Sequence, residues 1–272
     1  MLLVMDVGNT NTVLGVYEED TLVAHWRLST RKHQTADEYG ILIKNLFLLN
    51  QMNPEAITAM ILSSVVPPLV PTLEKMAQEY FHIFPLIVGP ELDIGMPILY
   101  EHPSEVGADR IVNAVAAYAK YGGPLIVVDF GTATTFEAIS KQGEYLGGAI
   151  VPGLGISTDA LFQHAAKLPR IELTKPESIS VIGKNTVHSM QAGIILGYAA
   201  LVDGLIARMK AEMPEPPYVV ATGGLVSVVA DEVRLIDQID HFLTLEGLKI
   251  LFYRNQNRLS RPGAPSQISA LS

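Results

Sequence analysis

Two aspartates, each followed by a glycine and a cluster of hydroxyl residues, are the groups in this sequence best placed to do chemistry. The apolar run Leu125–Val128 enters Asp129, and Asp129-Phe-Gly-Thr-Ala-Thr-Thr135 follows. Near the N-terminus Leu2–Met5 enters Asp6, and Asp6-Val-Gly-Asn-Thr-Asn-Thr12 repeats the design. Asp6, Gly8 and Thr10 correspond in order to Asp129, Gly131 and Thr132. Both stretches fit Asp-x-Gly-x-x-x-Thr. Glycine permits a tight turn and close backbone approach by a ligand. Asn9, Thr10, Asn11, Thr12 and Thr132 offer short uncharged donors, which suit phosphate oxygens, although Asn and Thr also serve plain turns. Two carboxylates at one site repel unless a cation lies between them. Magnesium favours such carboxylates together with phosphate oxygens. One copy of the pattern is weak evidence, since aspartates are common at strand ends. Two copies indicate related halves facing one nucleotide phosphate chain.

The surrounding elements must hold these turns in place. Residues 1–30 read as a three-stranded meander. Thr35-Ala-Asp-Glu38 has the pattern of a capping box, opening a helix to about Leu49. A strand over Ala56–Val66, a helix through about Tyr80 and a short strand over Ile83–Val88 complete an α/β first half. A loop with several Gly and Pro residues leads to Gly107-Ala-Asp-Arg110 at the head of an alanine-rich helix, a good helix-forming composition. The second half restarts with strands over Leu125–Asp129, Thr134–Ser140 and Tyr145–Val151, then a helix to about Lys167. A long helix runs from about Thr186 to Ala211. Its Gly193, Gly197 and Gly204 lower helix propensity, which predicts close helix–helix packing. A buried strand Tyr218–Thr222 ends in Gly223-Gly224, and a helix over Leu245–Arg254 closes the fold. The domain reading is residues 1–115, residues 116–255 and a disordered tail, 256–272.

Composition narrows the function classes. Half of the 272 residues (49%) are hydrophobic and 17% are charged, enough for a sizeable core. A net charge of -9 argues against nucleic acid as the main partner. With no cysteine, disulfides, thiolate metal sites and cysteine nucleophiles are excluded. The seven histidines show no metal spacing. Neither G-x-x-x-x-G-K-[ST] nor G-x-G-x-x-G occurs, which excludes a P-loop kinase and a dinucleotide fingerprint. Met1–Met5 is too short for an export signal, and the apolar region Asn185–Val202 reads as a buried helix rather than a membrane span. The expectation is a cytoplasmic protein with neither membrane nor nucleic-acid partners.

Asp6-Val-Gly-Asn-Thr-Asn-Thr12, Gly107-Ala-Asp-Arg110, Asp129-Phe-Gly-Thr-Ala-Thr-Thr135, Gly183-Lys-Asn-Thr186 and Ala221-Thr-Gly-Gly-Leu225 occur together and in this order. The set resembles the type III pantothenate kinases of bacterial coenzyme A synthesis, over about residues 1–255. The phosphate motifs by themselves mark only the wider actin and sugar-kinase superfamily; Gly-Ala-Asp-Arg narrows the match. The resemblance implies an α/β fold of two actin-like (ribonuclease H-like) halves, each a mixed sheet flanked by helices. It implies ATP held by Asp6, Val7, Gly8, Asn9, Thr10, Asn11, Thr12, Val13 and Thr132, with magnesium near Asp6. Asp129 is implied to bind a monovalent cation, potassium or ammonium. Asp109 is implied to be the base that accepts the proton of the primary hydroxyl of pantothenate. Tyr100, Gly107, Ala108, Asp109, Arg110 and Thr186 are implied to contact pantothenate, and a homodimer is implied.

Blander readings stand beside these. Asp109 also suits a helix start through the macrodipole. Tyr100 fits a packed aromatic under a loop, Thr186 fits an N-cap, and Gly223-Gly224 fits a plain strand–helix turn. Two rival functions are open at this stage. One is a kinase of the same superfamily acting on a sugar or carboxylic acid. The other is a nucleotide-binding regulator without catalysis, against which the Asp109-Arg110 pair speaks.

Overall fold

A computed structural model describes residues 1–174 and 179–259. Among the described residues the chain forms two compact units, Met1–Gly95 with Leu245–Leu259, and Met96–Thr244. This division differs from the sequence reading at 115/116, which cut through a helix that lies wholly in the second unit. The final helix, read as closing the second half, falls almost entirely with the first. Most of the expected tail lies outside the described residues.

In the first unit, β1 (Leu2–Val7), β2 (Asn11–Glu18) and β3 (Thr21–Ser29) form the expected meander. Helix α1 (Ala36–Leu49), strand β4 (Ala59–Ser64), helix α2 (Val70–Phe81) and the two-residue strand β5 (Leu86–Ile87) follow. The predicted capping box is present, with the Thr35 N–H donating to Glu38 Oε2 at 2.7 Å and the Glu38 N–H donating to Thr35 Oγ1 at 3.3 Å. Tyr39, Ile43 and Phe47, spaced four apart, bury one stripe of α1 in a core with Leu3, Met5, Val7 and Leu62. The sheet order is β3-β2-β1-β4-β5. β1 pairs antiparallel with β2 and parallel with β4. The C-terminal helix, Leu243–Leu259, runs further than the sequence indicated. Lys249, 6% exposed, anchors it through Asp20 at 3.1 Å and the Tyr17 ring at 5.1 Å.

The second unit contains α3 (Ala108–Tyr121), β6 (Leu125–Phe130), β7 (Ala133–Ile139), β8 (Tyr145–Pro152) and α4 (Leu154–His164). α5 (Thr186–Gln191), a π-helical segment (Ala192–Leu196) and α6 (Gly197–Glu212) make one long helix. β9 (Tyr218–Thr222), the single-turn α7 (Val226–Val229) and the two-residue β10 (Gln238–Ile239) complete the unit. The sheet order is β10-β9-β6-β7-β8. Read from the other edge, it repeats the first unit: an antiparallel meander, then two parallel strands beside its first strand. Two sheets of one topology are the structural form of the duplicated turn. β10 and α7 escaped the sequence reading because neither is long enough to show a hydrophobic period.

The long helix Thr186–Glu212 has the length and hydropathy to cross a membrane, yet it buries a stripe of Ile195, Tyr198, Val202 and Ile206 against β6 and β9 residues. The expected close packing at its glycines is not found. A Cβ added at Gly193, Gly197 or Gly204 would meet nothing within 4 Å. These glycines lie off the buried stripe, so no packing among the described residues explains them.

Candidate active site

The first turn is built on β1 and β2. Gly8 N–H donates to the Asn11 carbonyl at 2.9 Å, closing the turn. Thr30, which the sequence reading missed, braces it. Its hydroxyl donates to the Gly8 carbonyl at 2.7 Å and lies 2.9 Å from Thr12 Oγ1, and its N–H donates to the Thr10 carbonyl at 2.9 Å. Asn9 and Thr10 are exposed at the tip, while Asp6, Gly8, Asn11 and Val13 are half-buried. Val7 and Thr12 are fully buried, so their side chains support the turn from inside. The signal for Thr30 was the long strand β3 ending beside the turn, but cross-strand bracing needs the register to be known.

The second turn is shorter. Three residues lie between the last pair, Phe130 and Thr134, whereas four lie between Val7 and Thr12. Thr12 is therefore equivalent to Thr134, not to Thr135, although the linear pattern aligned the latter. Thr134 is buried, and its hydroxyl lies 2.7 Å from that of Tyr198. Thr132 is exposed at the tip. Gly153 approaches it so closely that an added Cβ would lie 2.2 Å from the Thr132 carbonyl oxygen.

Asp129, at the end of β6, is held from two sides. Asn113 on α3 donates to Asp129 Oδ2 at 2.8 Å, and Asn113 in turn accepts from the Thr244 hydroxyl at 2.7 Å. Asn113 is 1% exposed. Gly223 has φ +101°, and a Cβ there would lie 2.4 Å from Asp129 Oδ1 and 2.5 Å from Phe130 N. Gly223→Ala is therefore expected to destabilise the protein by more than about 1 kcal/mol and to displace the carboxylate. Chemical denaturation checks the first effect. A glycine at this turn is thus a requirement of both backbone conformation and space.

Asp109 sits in the first turn of α3, after Gly107 at the N-cap, which supplies no side-chain cap. Asp109 Oδ1 accepts the Arg110 N–H at 2.8 Å. Burial pushes the Asp109 carboxyl above the usual carboxylate range, and the nearby Glu137 charge adds to this against the Arg110 contacts. A proton acceptor with a raised pKa is the better base near neutral pH. Gly107 and Ala108 are half-buried beside it, and a Cβ on Gly107 would lie 2.7 Å from Asp109 Oδ1.

Arg110, implied above to contact pantothenate, is held by a buried partner on β7. Its Nε and Nη2 each donate at 2.8 Å to the two oxygens of Glu137, and the two residues are 7% and 1% exposed. Burial alone would lower the Arg110 pKa. The hydrogen bonds and charge of Glu137 outweigh it, so the guanidinium stays charged. The Tyr145 hydroxyl donates to Glu137 Oε2, and its ring lies 5.8 Å from the guanidinium carbon. Burial and the Glu137 charge raise the Tyr145 pKa, which keeps the hydroxyl a donor. Tyr100, a residue the sequence singled out, packs edge-on against Tyr145 with centroids 6.3 Å apart. Glu137 was missed; its trace in the sequence is one charged residue inside an otherwise uncharged strand.

Thr186 is exposed and is the first residue of its helix. It is not the N-cap: Asn185 fills that position, accepting the His188 N–H at 2.8 Å. Thr186 lines an open groove of about 460 Å³ with Leu154, Leu161, Met190, Gly193 and Gly197.

The sequence model of the family "type III pantothenate kinase" matches residues 2–208. A type III pantothenate kinase of Myxococcus xanthus is 58% identical over 255 residues, covering 94% of this chain and 99% of that protein. Among solved structures, component A of the (R)-2-hydroxyglutaryl-CoA dehydratase of Acidaminococcus fermentans aligns with a TM-score of 0.57 at 12% identity, covering 94% and 98% of the two chains. MreB 5 of Spiroplasma citri, solved with AMPPNP, aligns with a TM-score of 0.54 at 12% identity, covering 95% and 97%. At such identities the structural likeness concerns the fold alone, and that fold is actin-like.

Proposed function

The chain belongs to the type III pantothenate kinase family, which phosphorylates pantothenate with ATP in coenzyme A biosynthesis, and on that premise we propose how its residues divide the work. Asp109 accepts the proton of the primary hydroxyl as that oxygen attacks the γ-phosphate. The observation that carries this role is its half-buried, pKa-raised carboxylate at the head of α3, next to a fixed arginine. Phosphoryl transfer depends mostly on positioning and charge neutralisation, with a carboxylate aligning the nucleophile. Arg110 supplies fixed positive charge and the donors of its remaining edge to pantothenate or the transferring group. Tyr100, Gly107, Ala108 and Thr186 line the pantothenate side. Within the first unit, Asp6 to Val13 offer groups for ATP phosphates; within the second, Thr132 at the tip of its turn does the same.

The donor chemistry fits the implied cations. Both aspartates present hard carboxylate oxygens at strand ends. Asp129 has one oxygen fixed by Asn113 and the other against the side-chain-free Gly223. Asp6 would serve magnesium through the phosphates and Asp129 a potassium or ammonium ion; when bound, these ions neutralise phosphoryl charge. The enzyme acts as a cytoplasmic homodimer. Support for the dimer comes from the open glycine face of the long helix and its apolar groove.

ADP release from ATP, measured with and without pantothenate in potassium or sodium, tests this reading. Pantothenate-dependent turnover favoured by potassium is expected, with the preference lost in Asp129→Asn. Equal rates in both salts would remove Asp129 from the cation role, and no dependence on pantothenate would overturn the substrate assignment.

A further inference from the structure

We propose that Glu137 is the positioning residue for Arg110, fixing the plane of the guanidinium so that its Nη1 edge meets the substrate. The proposal rests on Arg110 being a substrate-binding group, as above.

The geometry is that of a clamp. A guanidinium has five donors in a rigid fork. Glu137 takes Nε and Nη2 in parallel at 2.8 Å each, the bidentate form in which both carboxylate oxygens define the plane. The opposite edge of the fork is thereby aimed. Glu137 is itself fixed by the Tyr145 hydroxyl on its Oε2, and the Tyr145 ring packs against the guanidinium it helps to orient. Tyr100 packs edge-on against that ring, and its side chain is a further hydrogen-bonding neighbour of the guanidinium.

The neighbouring strand is shaped around this clamp. Glu137 pairs in register with Gly148, and Ala138 with Gly147. A Cβ on Gly148 would lie 1.7 Å from the Phe136 carbonyl oxygen and 3.2 Å from Glu137 Oε2. A Cβ on Gly147, whose φ is +126°, would lie 3.6 Å from Tyr100. Consecutive glycines weaken a strand, and here they leave room for the clamp. Stability does not account for the arrangement, because a buried ion pair is often no more stable than a packed apolar pair. What the pair does supply is one orientation of an arginine adjacent to the proposed base.

The test is steady-state kinetics on Glu137→Gln, Tyr145→Phe and Arg110→Lys, with folding followed by circular dichroism. Loss of the partner that orients a metal ligand typically costs roughly 10- to 100-fold, and an oriented guanidinium is taken on the same scale. Glu137→Gln is expected to raise KM for pantothenate by about that factor with KM for ATP unchanged. A structural role alone would lower kcat in proportion to the folded fraction and leave both KM values alone; that result overturns the proposal. Should Glu137→Gln not fold, Tyr145→Phe decides. It keeps the ion pair, and is expected to give a smaller rise in the same KM; an unchanged KM overturns the proposal. Arg110→Lys keeps the charge without the fork. If it leaves KM for pantothenate unchanged, the reading of Arg110 as a substrate group fails, and that failure is distinct from a failure of Glu137 to position it.

Discussion

Asp109→Asn is expected to lose roughly 10²–10⁴-fold in kcat and to be more stable than the unsubstituted protein at pH 7. Both effects come from one environment. The carboxylate is raised above its ordinary range chiefly by burial, so in the folded state its ionised form is disfavoured. A carboxyl with a raised folded pKa contributes stability that is fully present below the unfolded pKa and is lost as pH rises through the folded pKa. Asparagine stays neutral at every pH and keeps that contribution at pH 7. Its amide oxygen can still accept the Arg110 N–H that Asp109 Oδ1 accepts at 2.8 Å. What asparagine lacks is the capacity to take a proton. Turnover assays and thermal unfolding at pH 7 check the two halves together. Full activity in the variant would remove Asp109 from proton transfer. A lower melting temperature would show that the ionised form is stabilised by something other than its described neighbours. In the unsubstituted enzyme, kcat/KM for pantothenate is expected to fall on the acid side with an apparent pKa above the usual carboxylate range, since the base must be ionised to act.

Arg110→Ala is expected to cost about 3–5 kcal/mol of stability in addition to activity. The cause is the partner left behind. Glu137 is 1% exposed and would be left with the Tyr145 hydroxyl but without the two guanidinium bonds. The lost attraction is the smaller part of the effect; the stranded buried charge is the larger. A charge-balanced variant separates them. Arg110→Met combined with Glu137→Gln removes both charges, fills the space and leaves an amide oxygen at position 137 to accept from the Tyr145 hydroxyl. Most of the stability is expected to return while activity stays lost. Denaturant titration of the single and double variants measures this. A double variant as unstable as Arg110→Ala would mean that the fork geometry, rather than the charge, holds this part of the unit together.

The two strand–turn stretches were legible because each packs its information into one short span. An apolar run, a carboxylate, a glycine and hydroxyls within about ten residues determine both the strand and the turn. The capping box at Thr35–Glu38 was legible for the same reason, since its two bonds span three residues. Gly107-Ala-Asp-Arg110 announced a helix head with a carboxylate, and α3 begins there. Glu137, Thr30 and Asn113 were not legible as site residues. Their partners lie at Arg110, Gly8, Asp129 and Thr244, from 16 to 131 positions away in the chain. Nothing local marks a glutamate in a strand as the partner of an arginine in a helix.

The glycines show the division most sharply. By itself the sequence determined the duplicated α/β design, the two turn carboxylates and the Asp109-Arg110 pair, because each depends on neighbours in the chain. It could not distinguish a glycine forced by contact from one facing open space. Only the tertiary structure decided that Gly148 and Gly223 have no room for a side chain, while Gly193, Gly197 and Gly204 do. It also decided that Arg110 is held by Glu137 and that the final helix belongs with the first unit. Local propensity acts through adjacent residues, whereas excluded volume and buried charge pairing act between whichever groups the fold brings together.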